Sequence, residues 1–257
     1  MQTTDSVFFI SGGASGLGEA VARRAIAGGA AGVVIADLNL AAAQSLASGL
    51  GDRAFAVEVD VQSTEAISAG INAGMEKFGR LHVAVNCAGI GWAERTLDRE
   101  SKAASIDNYR RVININLIGT YDVSRLAAEQ MAKNEPNADG ERGVVVLTSS
   151  LAAFDGQIGQ AAYSSSKGGI VGLTLPLSRD LSPVGVRVMT IAPGLFDTPI
   201  YDTMPPGLKE HLASTPVFPR RLGLPDEYAH LVQTVVENAY LNGETIRLDA
   251  ALRMAPK

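Results

Sequence analysis

Tyr163 and Lys167 stand four residues apart in the run AAYSSSKGGIVGLTL, residues 161 to 175, with only three serines between them. At the head of an apolar helical run, that spacing puts a phenol and an ammonium on one face about one turn apart. A free tyrosine titrates near ~10, so only about one molecule in a thousand is phenolate at neutral pH. Closing that gap takes roughly three pH units, or about 4 kcal/mol, whereas one neighbouring cation typically supplies ~1 to 3 units. Lys167 alone is therefore marginal, and a second positive charge is needed to make Tyr163 a competent base. The pair fits a general base with its tuner acting on an alcohol; it also fits a surface tyrosine followed by a lysine whose stem lies along apolar surface.

A source for that second charge is suggested near the amino end of the chain. The stretch SGGASGLGEA, residues 11 to 20, places Gly12, Gly16 and Gly18 in a G-x-x-x-G-x-G spacing directly after the apolar run VFFI. Glycines between a strand and a helix permit a tight turn and let backbone N–H groups approach a pyrophosphate at the helix amino end. Asp37 closes the next strand-like run, nineteen residues beyond Gly18, near the position of an acidic residue that binds an adenosine ribose. A carboxylate there repels a 2′-phosphate, and neither Leu38 and Asn39 nor Ala14 and Ser15 offer a cation. These residues favour NAD over NADP. Asp37 as a plain helix cap, and the loop as an ordinary glycine-rich turn, are the alternatives.

The elements that must position these groups are legible as an alternation. Short apolar or β-branched runs at 7–10, 33–36, 54–59, 82–86, 144–149, 186–191 and 244–248 are separated by longer helical patterns. The spacing predicts βαβ units, and runs apolar throughout predict parallel strands covered on both faces. The expected fold is α/β: one Rossmann-like doubly wound parallel sheet of seven strands spanning 1–257 as one domain. Such sheets bind ligands at the carboxyl ends of their strands, which brings in Asp60 and Val61 after the third run and NCAG, Asn86 to Gly89, after the fourth. Two segments break the rhythm: a polar, charged insertion at 91–105, and a proline-rich segment at 194–225 that reads as a substrate flap.

The chain has 257 residues, a hydrophobic fraction of 46%, a formal charge of −5 and one cysteine, Cys87. This composition suits a globular protein with a sizeable core. The single cysteine excludes an intrachain disulfide and a cysteine-based zinc site. His82, His211 and His230 show no metal-ligand spacing, so no metal is expected, and the acidic balance argues against a nucleic-acid partner. No apolar run reaches membrane-spanning length, and no export signal precedes Val7. The expected location is cytoplasmic.

SGGASGLG, NCAG, YSSSK and the APG of 192–194 together resemble the short-chain dehydrogenases/reductases over nearly the whole chain. The resemblance implies Tyr163 as general acid/base and Lys167 as its tuner and nicotinamide-ribose ligand. It also implies Ser150 as the group holding the substrate oxygen, with Ser149 adjoining, and Asn116 in NLIG as organiser of a water in the proton relay, with Asn114 two residues before. Implied cofactor contacts are Gly12, Ser15, Gly16, Leu17, Gly18, Asp37, Asp60, Val61, Asn86, Cys87, Ala88, Gly89, Tyr163, Lys167, Pro193, Gly194, Phe196 and Thr198. Ser150, Gln157 and Tyr163 are the implied substrate contacts.

RVMTIAPGLFDTP, RRLGLPDEYAHLV and NGETIRLDAALRM narrow the resemblance to the type II 3-hydroxyacyl-CoA dehydrogenase branch. That branch implies NAD-dependent, reversible oxidation of a secondary alcohol, a short-chain 3-hydroxyacyl-CoA, within fatty acid metabolism, by a homotetramer. Its alternatives are a 3-oxoacyl-[acyl-carrier-protein] reductase, a hydroxysteroid dehydrogenase, or a non-enzymatic partner in an RNA-processing complex. The flap residues Phe196, Ile200, Met204, Leu208, Leu212 and Phe218, stiffened by Pro205, Pro206 and Pro216, suit a greasy substrate. Lys209, Arg220 and Arg221 either meet the phosphates of a coenzyme A tail or, the favoured alternative, lie in solvent. Ser164 and Lys167 also have the S-x-x-K spacing of serine acyl-enzymes, but the companion elements are absent.

Overall fold

Every strand expected from the alternation forms, with its ends moved by at most two residues. The computed structural model describes residues 1–199 and 207–256. Its strands are β1 (Val7–Ser11), β2 (Gly32–Asp37), β3 (Ala54–Glu58), β4 (Val83–Asn86), β5 (Gly143–Thr148), β6 (Val186–Pro193) and β7 (Thr245–Leu248). They make one sheet in the order β3-β2-β1-β4-β5-β6-β7, parallel throughout. β1, β4, β5 and β6 are buried along their whole length, whereas β2 opens only at Asp37 and the edge strands β3 and β7 are partly exposed. That difference is why the central runs read as continuously apolar.

Helices cover both faces. On one side α1 (Gly16–Ala27), α2 (Leu40–Leu50) and α8 (Pro225–Glu237) bury Val21, Leu46, Tyr228 and Val232 against the sheet. On the other, α3 (Thr64–Phe78), α5 (Gly119–Met131) and α6 (Ala161–Leu181) bury Ile67, Val123, Ile170 and Leu177. Each such side chain contributes about 2 kcal/mol by leaving water. The helix α4 (Ile106–Ile113) runs into a π-helical turn, Asn114–Ile118, which leads into α5. Such a turn inside a helix often marks a functional position, and here it holds Asn116.

The buried Arg187 on β6 fixes the carboxyl end of α8. Its guanidinium donates to the carbonyls of Val235, Val236 and Leu241 and to the Glu141 carboxylate at 2.7 Å. Burying this charge is tolerable because its donors are paired, and α8 thereby holds Tyr228 under the carboxyl end of β5. The sheet order reverses between β1 and β4, where a doubly wound sheet opens its ligand crevice. The flap contains a short helix, α7 (Leu208–Ala213); Ile200, Met204, Pro205 and Pro206 lie outside the described residues.

Candidate active site

The glycine loop meets the NCAG segment directly across the β1/β4 switch point. Gly12 has φ +65°, and a Cβ on it would lie 2.6 Å from the Ala88 nitrogen; one on Gly18 would lie 2.2 Å from the Gly12 carbonyl oxygen. Both positions exclude any side chain, so the loop stays thin over the crevice. Ser15 precedes α1 without capping it by its side chain, which leaves first-turn N–H groups and the helix dipole for an anion. We expect Gly18→Ala to lose cofactor affinity by at least about tenfold and to lower the melting temperature, because the methyl has no room. Cofactor titration and thermal unfolding check this.

Asp37 is not a helix cap: Asn39 caps α2 by accepting from the Ala42 N–H. The Asp37 carboxylate accepts from the Ala14 N–H at 3.0 Å and from the Asn39 N–H at 2.9 Å. It is thus tied to the glycine loop with its oxygens at the wall of a cleft of about 520 Å³. Gly12, Ser15, Gly16, Leu17, Gly18, Asp60, Val61, Cys87, Ala88, Gly89 and Thr198 line the same cleft. Asn86 does not join them: it is buried, and its amide donates to Ser124 at 3.2 Å on the helix behind the sheet. Strand alternation explains the side chain's placement, since adjacent residues at a strand end point to opposite faces.

A second cleft of about 590 Å³ continues from the first and shares Leu17, Cys87, Gly89 and Thr198 with it. Ser150, Tyr163, Lys167, Pro193, Gly194 and Phe196 line it. The structure thus brings three of the four predicted catalytic groups to one opening that runs into the glycine-lined cleft.

Tyr163 and Lys167 lie one turn apart on α6, the lysine nitrogen 5.8 Å from the phenol ring centre. Lys167 Nζ donates to the Thr148 carbonyl at 2.8 Å, and burial pushes its ammonium down to about 8. Burial also pushes the Tyr163 phenol up from its ordinary value, and the Ser150 hydroxyl beside it pulls it partly back. Desolvation is the larger influence on this phenol and Ser150 the opposing one, while the Lys167 ammonium stands beside the ring with its charge intact.

Packing separates the paired candidates. Ser149 is buried, and its hydroxyl donates to the Lys167 carbonyl at 2.8 Å, so it braces α6; Ser150 faces Tyr163. Asn114 is exposed, whereas Asn116 is fully buried. Asn116 Oδ1 accepts from the Ile90 N–H at 2.8 Å, and its amide nitrogen donates to the Ile90 carbonyl at 2.9 Å and to Ser166 at 3.1 Å. Its side chain does not line either cleft; it ties the segment after β4 to α6.

Gln157 turns towards the chain end. Its side-chain amide donates to the Ala255 carbonyl at 3.0 Å, outside the cleft, while Gln160, just before α6, is on the cleft wall. Sequence reasoning also missed Trp92, Leu195 and Met254 on that wall. The lone tryptophan inside a polar insertion was an available signal. Of the flap cations, Lys209 pairs with Asp197 at 2.6 Å and Arg221 with Glu227 at 2.7 Å, with the two cationic side chains 40% and 43% exposed, so both form solvated surface ion pairs. Cys87 turns its thiol inward towards Thr148 and Tyr228, and burial pushes it up to about 11, which leaves it a poor nucleophile. Among the described residues no group of three or more acidic, histidine or cysteine side chains could hold a metal ion, and no helix is long and apolar enough to cross a membrane.

The fold and this opening define a class, and comparison with known proteins agrees. The sequence model of the short chain dehydrogenase family matches residues 6–208, and this chain belongs to that family; it is an oxidoreductase of the short-chain type. A cattle (Bos taurus) protein named 3-hydroxyacyl-CoA dehydrogenase type-2 is 53% identical over 251 residues, 97% of this chain and 96% of that protein. The crystal structure of 3-hydroxyacyl-CoA dehydrogenase type-2 from Mycobacterium avium superposes with a TM-score of 0.94 at 44% identity, covering 98% of this chain and 97% of the other. A 3-ketoacyl-(acyl-carrier-protein) reductase from Brucella melitensis complexed with NADH superposes at 0.85 with 27% identity, covering 98% of this chain and 100% of the other. The glycine cradle fits a nicotinamide dinucleotide, as the family requires.

Proposed function

We propose that this chain, as one catalytic domain, reversibly oxidises a short-chain 3-hydroxyacyl-CoA to the 3-oxoacyl-CoA with NAD. The observation that carries the reading is the convergence of Ser150, Tyr163 and Lys167 on a cleft continuous with the glycine-lined one. The names of the relatives supply the substrate class. The bound cofactor supplies a hydride acceptor and, when oxidised, a positive charge.

Tyr163, as phenolate, takes the hydroxyl proton of the alcohol, and Ser150 holds the same oxygen by a hydrogen bond so that the carbinol carbon keeps one orientation. Lys167 holds the nicotinamide ribose and passes the proton on. Asn116 keeps the Ile90 segment and α6 in register, the role through which it supports the proton relay. The loop from Gly12 to Gly18, with Asp60, Val61, Ala88, Gly89, Pro193, Gly194, Phe196 and Thr198, forms the rest of the cofactor wall.

Asp37 supports NAD over NADP, since its carboxylate is already anchored by two backbone N–H groups and cannot swing away from a 2′-phosphate. Losing one charged hydrogen bond costs about 1.5–3 kcal/mol, so Asp37→Ala should raise the KM for NAD by roughly 10- to 100-fold and narrow the preference over NADP. Steady-state kinetics with both cofactors reads this. The overall assignment is tested by mixing the protein with a short 3-hydroxyacyl-CoA and following NADH and NADPH formation. Rapid NADH production supports it. Turnover only of 3-oxoacyl groups on a carrier protein would move the assignment to the reductase, and because a reductase relative was solved with NADH, the acyl carrier separates the two better than the cofactor does. A homotetramer and a cytoplasmic location complete the proposal; the single inward-turned thiol suits a reducing compartment, and light scattering and cell fractionation test the two.

A further inference from the structure

The insertion after β4 brings an aromatic side chain into the cleft and then clamps it. Trp92, the one tryptophan of the chain, lines the cleft that holds Ser150 and Tyr163. Its indole N–H donates to the Glu94 carboxylate at 3.2 Å, and the Asn108 side chain on α4 donates to the same oxygen at 3.0 Å. The Glu94 backbone N–H donates to the Gly159 carbonyl, just before α6, at 2.8 Å. Two residues before it in the chain, Ile90 is held by the buried Asn116 through both its N–H and its carbonyl. The indole is therefore tied through Glu94 to α4 and to the start of the catalytic helix, and the main chain leading to it is tied to the turn before α5. A surface loop with an unanchored tryptophan would lack these ties.

The same cleft is also lined by the apolar side chains of Leu195, Phe196 and Met254. An anchored indole in such a cleft limits the room near the reacting carbon and offers apolar surface to whatever enters. We infer that Trp92 is a specificity-determining residue: it packs on the acyl body of the substrate and sets an upper limit on chain length, with Glu94 and Asn108 as its positioning residues. This rests on the thioester reading above. Each methylene that finds apolar room is worth about fourfold in binding, so removing the ring should reward longer chains and penalise short ones that lose their contact.

The experiment measures kcat/KM for 3-hydroxyacyl-CoA thioesters of increasing chain length in the wild type, Trp92→Ala and Trp92→Phe, with the KM for NAD as a control. Trp92→Ala should shift the ratio of long to short substrates by at least about tenfold towards long, with the NAD KM within about twofold of wild type. Trp92→Phe, which keeps an aromatic wall, should stay close to wild type. An unchanged ratio in Trp92→Ala, or equal shifts in both variants, would overturn the inference. If Trp92→Ala does not fold, the emission of the wild type decides, since Trp92 is the sole indole: saturation with a 3-oxoacyl-CoA should change it, and an unmoved emission overturns the wall. A wild type inert to thioesters but active on other secondary alcohols would defeat the thioester reading alone, and the same variants on alcohols of graded length would then judge Trp92.

Discussion

Tyr163→Phe should lower kcat for alcohol oxidation by at least about 10³-fold while leaving the NADH dissociation constant within about twofold. Proton transfer by a positioned side chain is worth typically 10²–10⁴-fold, and the proposed acid/base group is the phenol that stands beside Ser150 at the cleft. The substitution removes only the hydroxyl, so the ring keeps its packing on α6 and the glycine cradle is untouched. Because burial holds the phenol above its ordinary value, the oxidation rate of the wild type should keep rising with pH above neutrality, as more phenolate forms. Reduction, which needs the protonated phenol, should stay nearly level over the same range and fall only as pH approaches the raised phenol value. Stopped-flow or steady-state assays across pH, with NADH binding followed by fluorescence, read both parts; retained turnover in the phenylalanine variant would remove Tyr163 from the mechanism.

Lys167→Met should make the protein more stable at pH 7 and catalytically dead. An ammonium with a folded pKa of about 8, against an ordinary 10.5, holds its proton less readily in the folded chain than in the unfolded one. Below about pH 8 both states carry the proton, and the folded state bears the full cost of the buried charge. Between about 8 and 10.5 the unfolded chain binds more protons, so stability rises with pH across that window. The gap corresponds to about 3 kcal/mol, from which the lost hydrogen bond to the Thr148 carbonyl subtracts about 1 kcal/mol. Methionine fills a similar volume without a charge, so the melting temperature at pH 7 should rise by roughly 4–8 °C, and the advantage should shrink towards pH 10. Thermal unfolding of both proteins across this range tests it. A variant less stable than wild type at pH 7 would mean that the ammonium is a net stabiliser, contrary to the desolvation argument.

A buried ammonium whose charge is disfavoured by desolvation, kept beside the phenol, is the pattern of a functional site, where groups are arranged for chemistry at the expense of folding. The same holds for the glycine loop, whose Gly12 takes a left-handed conformation to pass Ala88. Both features stand at the carboxyl ends of strands that are otherwise locally consistent with the fold.

What the sequence by itself determined lies within single elements or at their ends. The four-residue spacing of Tyr163 and Lys167 puts them on one helix face whatever the helix packs against, because 3.6 residues make a turn. Seven apolar runs alternating with helical patterns are enough for a parallel sheet, and the glycine spacing and Asp37 follow from the strand ends they occupy. Tertiary structure decided the choices between neighbours. Ser150 meets Tyr163 while Ser149 braces α6, Asn116 is buried while Asn114 is exposed, and Gln157 turns to the chain end, because of which segment each meets, from residues as distant as Ile90 and Ala255. The Asn86 side chain turns to Ser124 for the same reason. Tertiary structure also set the direction of the Tyr163 shift: spacing supplies a neighbouring cation, but desolvation depends on how many remote segments close over the ring, and no local pattern encodes that sum.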